Sequence, residues 1–286
     1  MRSTSLSIAD KVSPAIRAVY HDVHGAARLI GADCLLVGAT ARDMVYEAAF
    51  GLDIKRATAD IDFAIHVDTW DTFAALTDFL VDQYGFSRTD SGHRLNLPGS
   101  DLWIDIIPFG AIADEDGKYR WPDDPDIEIS ILGFQEALES AITCQVSVDP
   151  ELQLKVVHPA VLVMLKIFSW RDRRRYKTTD AQDAAYAMSY YIRLDDNEQR
   201  LYDEPELFEG EFDFDTIGAR LTGRDLARLV PGDALSELRT HVQEEIDSGD
   251  QSQLLADMMI GSPGLFVDER LYSHLLPNIA LGIDEA

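Results

Sequence analysis

Two aspartates, Asp60 and Asp62, open the apolar run DIDFAIHV. Read as a strand, this segment turns both carboxylates to one face and Ile61, Phe63 and Ile65 to the other. Converging carboxylates repel each other and resist desolvation, so the chain can keep them on a half-buried strand only where countercharge is supplied. That requirement limits the fold more than any other feature of the sequence: either a cation faces the acids on a buried strand, or the strand is an edge with solvated carboxylates. Hard oxygen ligands favour Mg²⁺ or Mn²⁺. The i, i+2 spacing carries no weight alone, because 51 acidic residues in 286 produce such pairs by chance, as in DED (114–116) and DFD (213–215).

The context gives the pair its meaning. A later segment, LWIDIIPF, holds a lone Asp105 among apolar neighbours, and a paired strand would carry it to the same metal. Asp101, four residues earlier on the same face, adjoins the turn PGS and is read as solvated. Three carboxylates can hold two ions, one activating an attacking hydroxyl and the other neutralising phosphates and the leaving group. Upstream, CLLVGA predicts a strand turning at Gly38 into a helix, TARDMVYEAAF, with Thr40 as its N-cap. A glycine there lets backbone N–H groups approach an anion, so Gly38, Ala39 and Thr40 are candidate phosphate contacts.

The rest of the chain divides by pattern. Helical spacing opens it over 7–31, and DTWDTFAALTDFLVDQYG predicts a helix with Asp68 or Thr69 at its start and Gly85 past its end. HRLNL and DLWIDIIPF read as strands joined by the PGS turn, 113–126 as an acidic loop, 127–131 as a strand, 134–141 as a helix, and 144–148 and 152–156 as strands. After His158-Pro159 the pattern is almost wholly helical, which predicts an α+β fold: a mixed sheet with helices over 1–157, then a mostly helical domain over 158–286. The segment 195–215, with ten acids and one arginine, reads as a solvated, partly ordered connection, with a docking segment for a basic partner as the alternative. Cys34 and Cys144 stand singly in apolar stretches and read as core residues. No apolar run is long enough to span a bilayer and no apolar signal core precedes Asp10, so a soluble, cytoplasmic protein is expected.

Charge narrows the partners. Against 51 acids stand 25 basic residues, a net charge of −26, and such a field repels free nucleic acid. A polyanionic substrate would need a local reversal of sign. Arg171, Arg173, Arg174, Arg175 and Lys177 supply one, five of the basic residues within seven positions. Just before them Lys166 interrupts an apolar helix, Val161 to Phe168, where it needs an anion. Asp180 and Asp183 share a face of the helix that follows, and either pair with the cations or act directly.

Together LLVGATARDMV, RATADIDFAI and LWIDIIPF resemble the nucleotidyltransferase superfamily typified by DNA polymerase beta, with its glycine motif, D-x-D strand and third aspartate on a neighbouring strand. More narrowly, the arginine and small hydroxyl residue before the pair, Arg56 and Thr58, and LVMLKIFSWRDRRRYKTTDAQD with its helical lysine, basic segment and aspartates, resemble the AbiEii and MenT group of bacterial toxins. The resemblance covers about residues 34–184. It implies metal-dependent transfer of a nucleoside monophosphate from an NTP, with Asp60, Asp62 and Asp105 as metal ligands and Lys166 as a fourth catalytic residue. Gly38, Ala39, Thr40, Arg56, Thr58, Arg173 and Asp183 would bind the nucleotide, and the helical half would complete the site. It also implies an RNA acceptor, chiefly the 3′ end of tRNA, and an antitoxin partner. The acidic surface leaves two other readings open: transfer to a cationic small molecule such as an aminoglycoside, or to a protein side chain. A non-catalytic nucleotide- or partner-binding protein of the same fold is the reading from outside the enzyme class.

Overall fold

The computed structural model describes residues 5–53, 60–97, 99–100, 102–122, 124–208, 213–214, 216–260 and 269–286. They divide into two compact units between Val157 and His158.

The first unit is built on an eight-stranded mixed sheet. In chain order its strands are β1 (Ser5–Ser7), β2 (Cys34–Val37), β3 (Asp60–His66), β4 (Ser87–Arg88), β5 (Arg94–Asn96), β6 (Trp103–Phe109), then, after a separate hairpin of β7 (Lys118–Trp121) and β8 (Asp124–Ser130), β9 (Ile142–Val148) and β10 (Glu151–Val156). Their order across the sheet is β1-β9-β10-β2-β3-β6-β5-β4. The aspartate strand β3 is central, antiparallel to β2 and parallel to β6. A parallel pair needs a crossover, and α3 (Trp70–Tyr84) supplies it. Its ends match the sequence: the Thr69 hydroxyl accepts from the Thr72 N–H at 3.2 Å, and Gly85 closes the helix at φ 74°. Helix α1 (Pro14–Leu29) packs Tyr20 edge-on to Phe63, at 6.2 Å between ring centroids. Phe63, Ile65, Leu76 and Leu80 are fully buried, each side chain contributing about 1.5–3 kcal/mol. Both cysteines are buried and free, as expected of core residues.

Two expectations for this unit are corrected. The acidic loop proposed over 113–126 contains β7 and the start of β8. KYRW alternates, burying Tyr119 and Trp121 against Trp70, at 5.4 Å each, while Lys118 and Arg120 reach Glu128 at 2.9 and 2.6 Å. The density of acid on either side hides a period of two. Thr40 is not a helix cap: α2 (Gly38–Asp43) begins two residues earlier, with Val37 in the cap position, and continues as a π-turn over Met44–Ala49. The Thr40 hydroxyl instead donates to the Asp60 carbonyl at 2.7 Å. A short helix, α4 (Phe134–Glu139), precedes β9.

The second unit is helical: α5 (Pro159–Arg173), α6 (Thr179–Tyr190), α7 (Asn197–Asp203), α8 (Ile217–Leu229), α9 (Asp233–Asp247), α10 (Gln253–Met259) and α11 (Tyr272–Asp284). Pro159 starts α5, whose apolar residues are buried on nearly every side. Gly223 of α8 and Gly282 of α11 leave no room for a Cβ against the opposite backbone, so these helices cross in direct contact. The 195–215 stretch carries the partial order expected of it. It contains α7 and a 3₁₀ turn (Pro205–Phe208), and its single arginine, Arg200, is buried between Glu204 at 2.7 Å and Asp225 at 2.8 Å. Residues 209–212 and 215 lie outside the described residues. Among the described residues no helix is long and apolar enough to cross a membrane.

Candidate active site

The sheet register assembles the acids. In the parallel β3–β6 pair Asp62 faces Asp105, and Asp60 faces Trp103. One carboxylate oxygen from each of Asp60, Asp62 and Asp105 lies within 4.8 Å of the other two. Oxygens about 2.1 Å from a magnesium ion lie roughly 3–4 Å apart, so small rotamer changes would close this set on a divalent cation. Ile61 on the opposite face is buried, while Asp60 and Asp62 are half-buried and Asp105 is 8% exposed. An all-carboxylate donor set suits Mg²⁺ or Mn²⁺.

Gly38 is fitted to this cluster. It stands at φ +68°, and a Cβ there would come within 2.6 Å of the Asp62 Cγ and 2.9 Å of its Cβ. The absence of a side chain lets β2 turn into α2 directly against the metal-ligand candidate. Ala39 is buried, and Thr40 pins the head of β3 through the Asp60 carbonyl. Arg56, Thr58 and Asp101 lie outside the described residues.

One residue of this cluster escaped the sequence reading. Arg94 on β5 pairs with Asp105 in the antiparallel β5–β6 register, and its Nε and a terminal nitrogen each donate to one Asp105 oxygen at 2.6 Å. Its guanidinium also lies over the Trp103 ring, 4.8 Å from the centroid. Hydrogen bonding to Asp105, with Asp60 and Asp62 adding to it, holds Arg94 more firmly in its charged form. The signal was present in the hairpin: strands joined by LPGSDL and paired across that turn bring Arg94 opposite Asp105.

The helical unit contains a second polar centre. Lys166 is 8% exposed and donates to Asp180 at 2.9 Å and Asp183 at 2.7 Å, and Arg173 reaches the other Asp180 oxygen at 2.9 Å. Burial pulls the lysine towards its neutral form, but the carboxylates of Asp183 and Asp180 outweigh it and hold its pKa above the ordinary value. Burial likewise raises Asp180, yet Lys166 and Arg173 bring it down to about 2. The basic run is thereby partly spent. Arg171 pairs with Glu244 at 2.6 Å, and Arg174 stacks on Trp170 and approaches Glu245 at 3.7 Å. Arg175 has no ion pair among the described residues, and beside it Tyr176 is 79% exposed.

The profile described as "Nucleotidyl transferase AbiEii toxin, Type IV TA system" matches residues 26–270. The chain belongs to the AbiEii family. This bears out the resemblance drawn from the motifs, and it makes this AbiEii chain an NTP-dependent nucleotidyltransferase of a toxin family. No curated protein matches the sequence. Among solved structures, the antibiotic-resistance factor ANT(2'')-Ia is similar at 11% identity and a TM-score of 0.35, covering 69% of this chain and 97% of that one. CdnC from E. coli MS115-1, in complex with HORMA-deltaN, gives 14% identity and 0.29 over 97% of this chain and 82% of that one. The Thermotoga maritima CCA-adding enzyme complexed with tRNA gives 12% and 0.27 over 97% and 83%. These likenesses are distant, and the AbiEii assignment rests on the profile match.

Proposed function

We propose that this AbiEii protein moves a nucleoside monophosphate from an NTP to the 3′ end of tRNA or another RNA, and that a cognate antitoxin restrains it. The observation that carries the reaction is the carboxylate cluster of Asp60, Asp62 and Asp105 on adjacent parallel strands. Bound Mg²⁺ or Mn²⁺ supplies Lewis acidity there. Asp60, Asp62 and Asp105 would hold the ions, and Asp105 would help take the proton from the acceptor hydroxyl. That oxygen bonds to the α-phosphorus as the bond to the β-phosphate oxygen breaks, and pyrophosphate leaves. The turn at Gly38 and Ala39 lies against Asp62, which suits it to the β and γ phosphates. Thr40 contributes chiefly by fixing the Asp60 backbone. Arg56 and Thr58 remain proposed nucleotide contacts from the sequence motif alone. For Lys166, Arg173 and Asp183 the contacts support a narrower assignment, a charge-balanced clamp between α5 and α6, which could engage a phosphate only by giving up an existing ion pair.

The RNA reading is supported by the turn joining α5 and α6. Arg175, Tyr176 and Lys177 offer two cations and an exposed ring in succession, the combination that contacts a single-stranded backbone and stacks a base. The test incubates purified protein with Mg²⁺ or Mn²⁺, each α-³²P-labelled NTP and total RNA, beside an Asp60→Ala/Asp62→Ala control. Label in a tRNA-sized band, absent from the control, is expected. Label confined to protein or small molecules would replace the RNA acceptor by those, and no transfer under any condition would refute the proposal.

A further inference from the structure

Asp105 is already occupied. Both of its oxygens accept from the Arg94 guanidinium at 2.6 Å, a bidentate charge-assisted pair, and the same arginine feels Asp60 and Asp62. The Arg94 guanidinium lies over the Trp103 ring, and the side chain is one-third exposed, so it has room to withdraw. Resting on the metal reading above, we propose that Arg94 is a built-in countercharge that competes with the divalent cation for Asp105.

The charges make the competition specific. The Arg94 guanidinium already matches the single charge of Asp105. A second ion at Asp105 would meet the arginine's positive charge at close range and must displace at least one of its hydrogen bonds or share the carboxylate with it. Arg94 thus lowers the cluster's affinity for cations in the free protein and keeps Asp105 aimed inward until an ion takes it. It acts through Asp105 and is a positioning residue.

The experiment is a Mn²⁺ titration of the full chain without nucleotide, followed by the electron paramagnetic resonance signal of free Mn²⁺. Wild type is compared with Arg94→Gln and Arg94→Lys, and with Asp60→Asn/Asp62→Asn to identify binding at the cluster. Arg94→Gln, which removes the charge and the fork, is expected to bind Mn²⁺ about tenfold more tightly. Arg94→Lys keeps the charge and should stay near wild type. Thermal unfolding in EDTA runs alongside, where a merely structural arginine would lower the melting temperature of the glutamine variant and leave its Mn²⁺ affinity unmoved. Unchanged or weaker binding by Arg94→Gln overturns the competition and leaves the metal reading standing. Binding by Arg94→Gln where wild type shows none supports it in its strongest form, and absence of saturable binding in both overturns the inference together with the metal reading.

Discussion

Replacing Lys166 with methionine tests the helical unit's clamp directly. Methionine keeps the length and apolar stem of the side chain and removes the ammonium that donates to Asp180 and Asp183, both of which are almost fully buried. Breaking a buried pair by deleting one partner costs about 3–5 kcal/mol. Arg173 still reaches Asp180 at 2.9 Å, so the lower end, about 3 kcal/mol, is the expected loss at pH 7. At ~2–4 °C per kcal/mol this is roughly 6–12 °C in melting temperature. The pH signature is sharper. The Asp180 carboxyl is held at about 2, below its ordinary 3.8, so the stability it contributes is present above pH 4 and is lost as pH falls through about 2. That contribution is about 2 kcal/mol in wild type and shrinks once the lysine is gone. Urea unfolding followed by far-UV circular dichroism at pH 7, 4.5 and 2.5 should show the gap between wild type and Lys166→Met narrowing in acid. A gap that is constant with pH would show lost packing instead of lost ion pairing, and a variant within 1 kcal/mol of wild type at pH 7 would refute the clamp.

Other perturbations address the sheet and the turn between α5 and α6. Gly38→Ala places a Cβ against the Asp62 carboxylate at a positive φ, and should abolish saturable Mn²⁺ binding and nucleotidyl transfer while far-UV circular dichroism stays native-like. Thr40→Val removes the hydrogen bond to the Asp60 carbonyl, and urea unfolding should register about 1 kcal/mol of lost stability with a larger proportional loss in transfer rate. Arg175→Gln/Lys177→Gln should weaken RNA binding and make the slope of log K against log salt shallower by about 0.7 for each phosphate no longer neutralised, with NTP affinity unchanged by equilibrium dialysis.

Much of the active cluster was legible because one strand's alternation carries it. In DIDFAIHV the acids and the apolar residues take opposite faces, and LWIDIIPF admits a single carboxylate, so face and partner follow from a period of two. The ends of α3 were legible because Thr69 and Gly85 each perform a local task that few other residues perform. Arg94 was missed because its role is a matter of register: only pairing HRLNL residue by residue against DLWID reveals what it faces. Strand β7 was missed, although its partner was expected over 127–131, because local acidity masked the alternation of KYRW, whose two aromatic rings find their partner, Trp70, about fifty residues earlier. Lys166 was recognised as needing an anion. The choice between the protein's own aspartates and a phosphate depends on how α5 and α6 pack, which spacing along one helix does not settle.

The parallel pairing of β3 with β6 also sets when the acids meet. Asp62 and Asp105 come together only after the intervening crossover has formed, and the sheet's outer pairing, β1 on β9, joins positions 138 residues apart at Ser7 and Gln145. Pairings of such long sequence separation are slow to form. The 43 residues between Asp62 and Asp105 are far fewer than that, so the carboxylates meet and begin to repel each other before the outer strands close. A cation that binds the paired strands offsets that repulsion and thereby stabilises the αβ unit against opening.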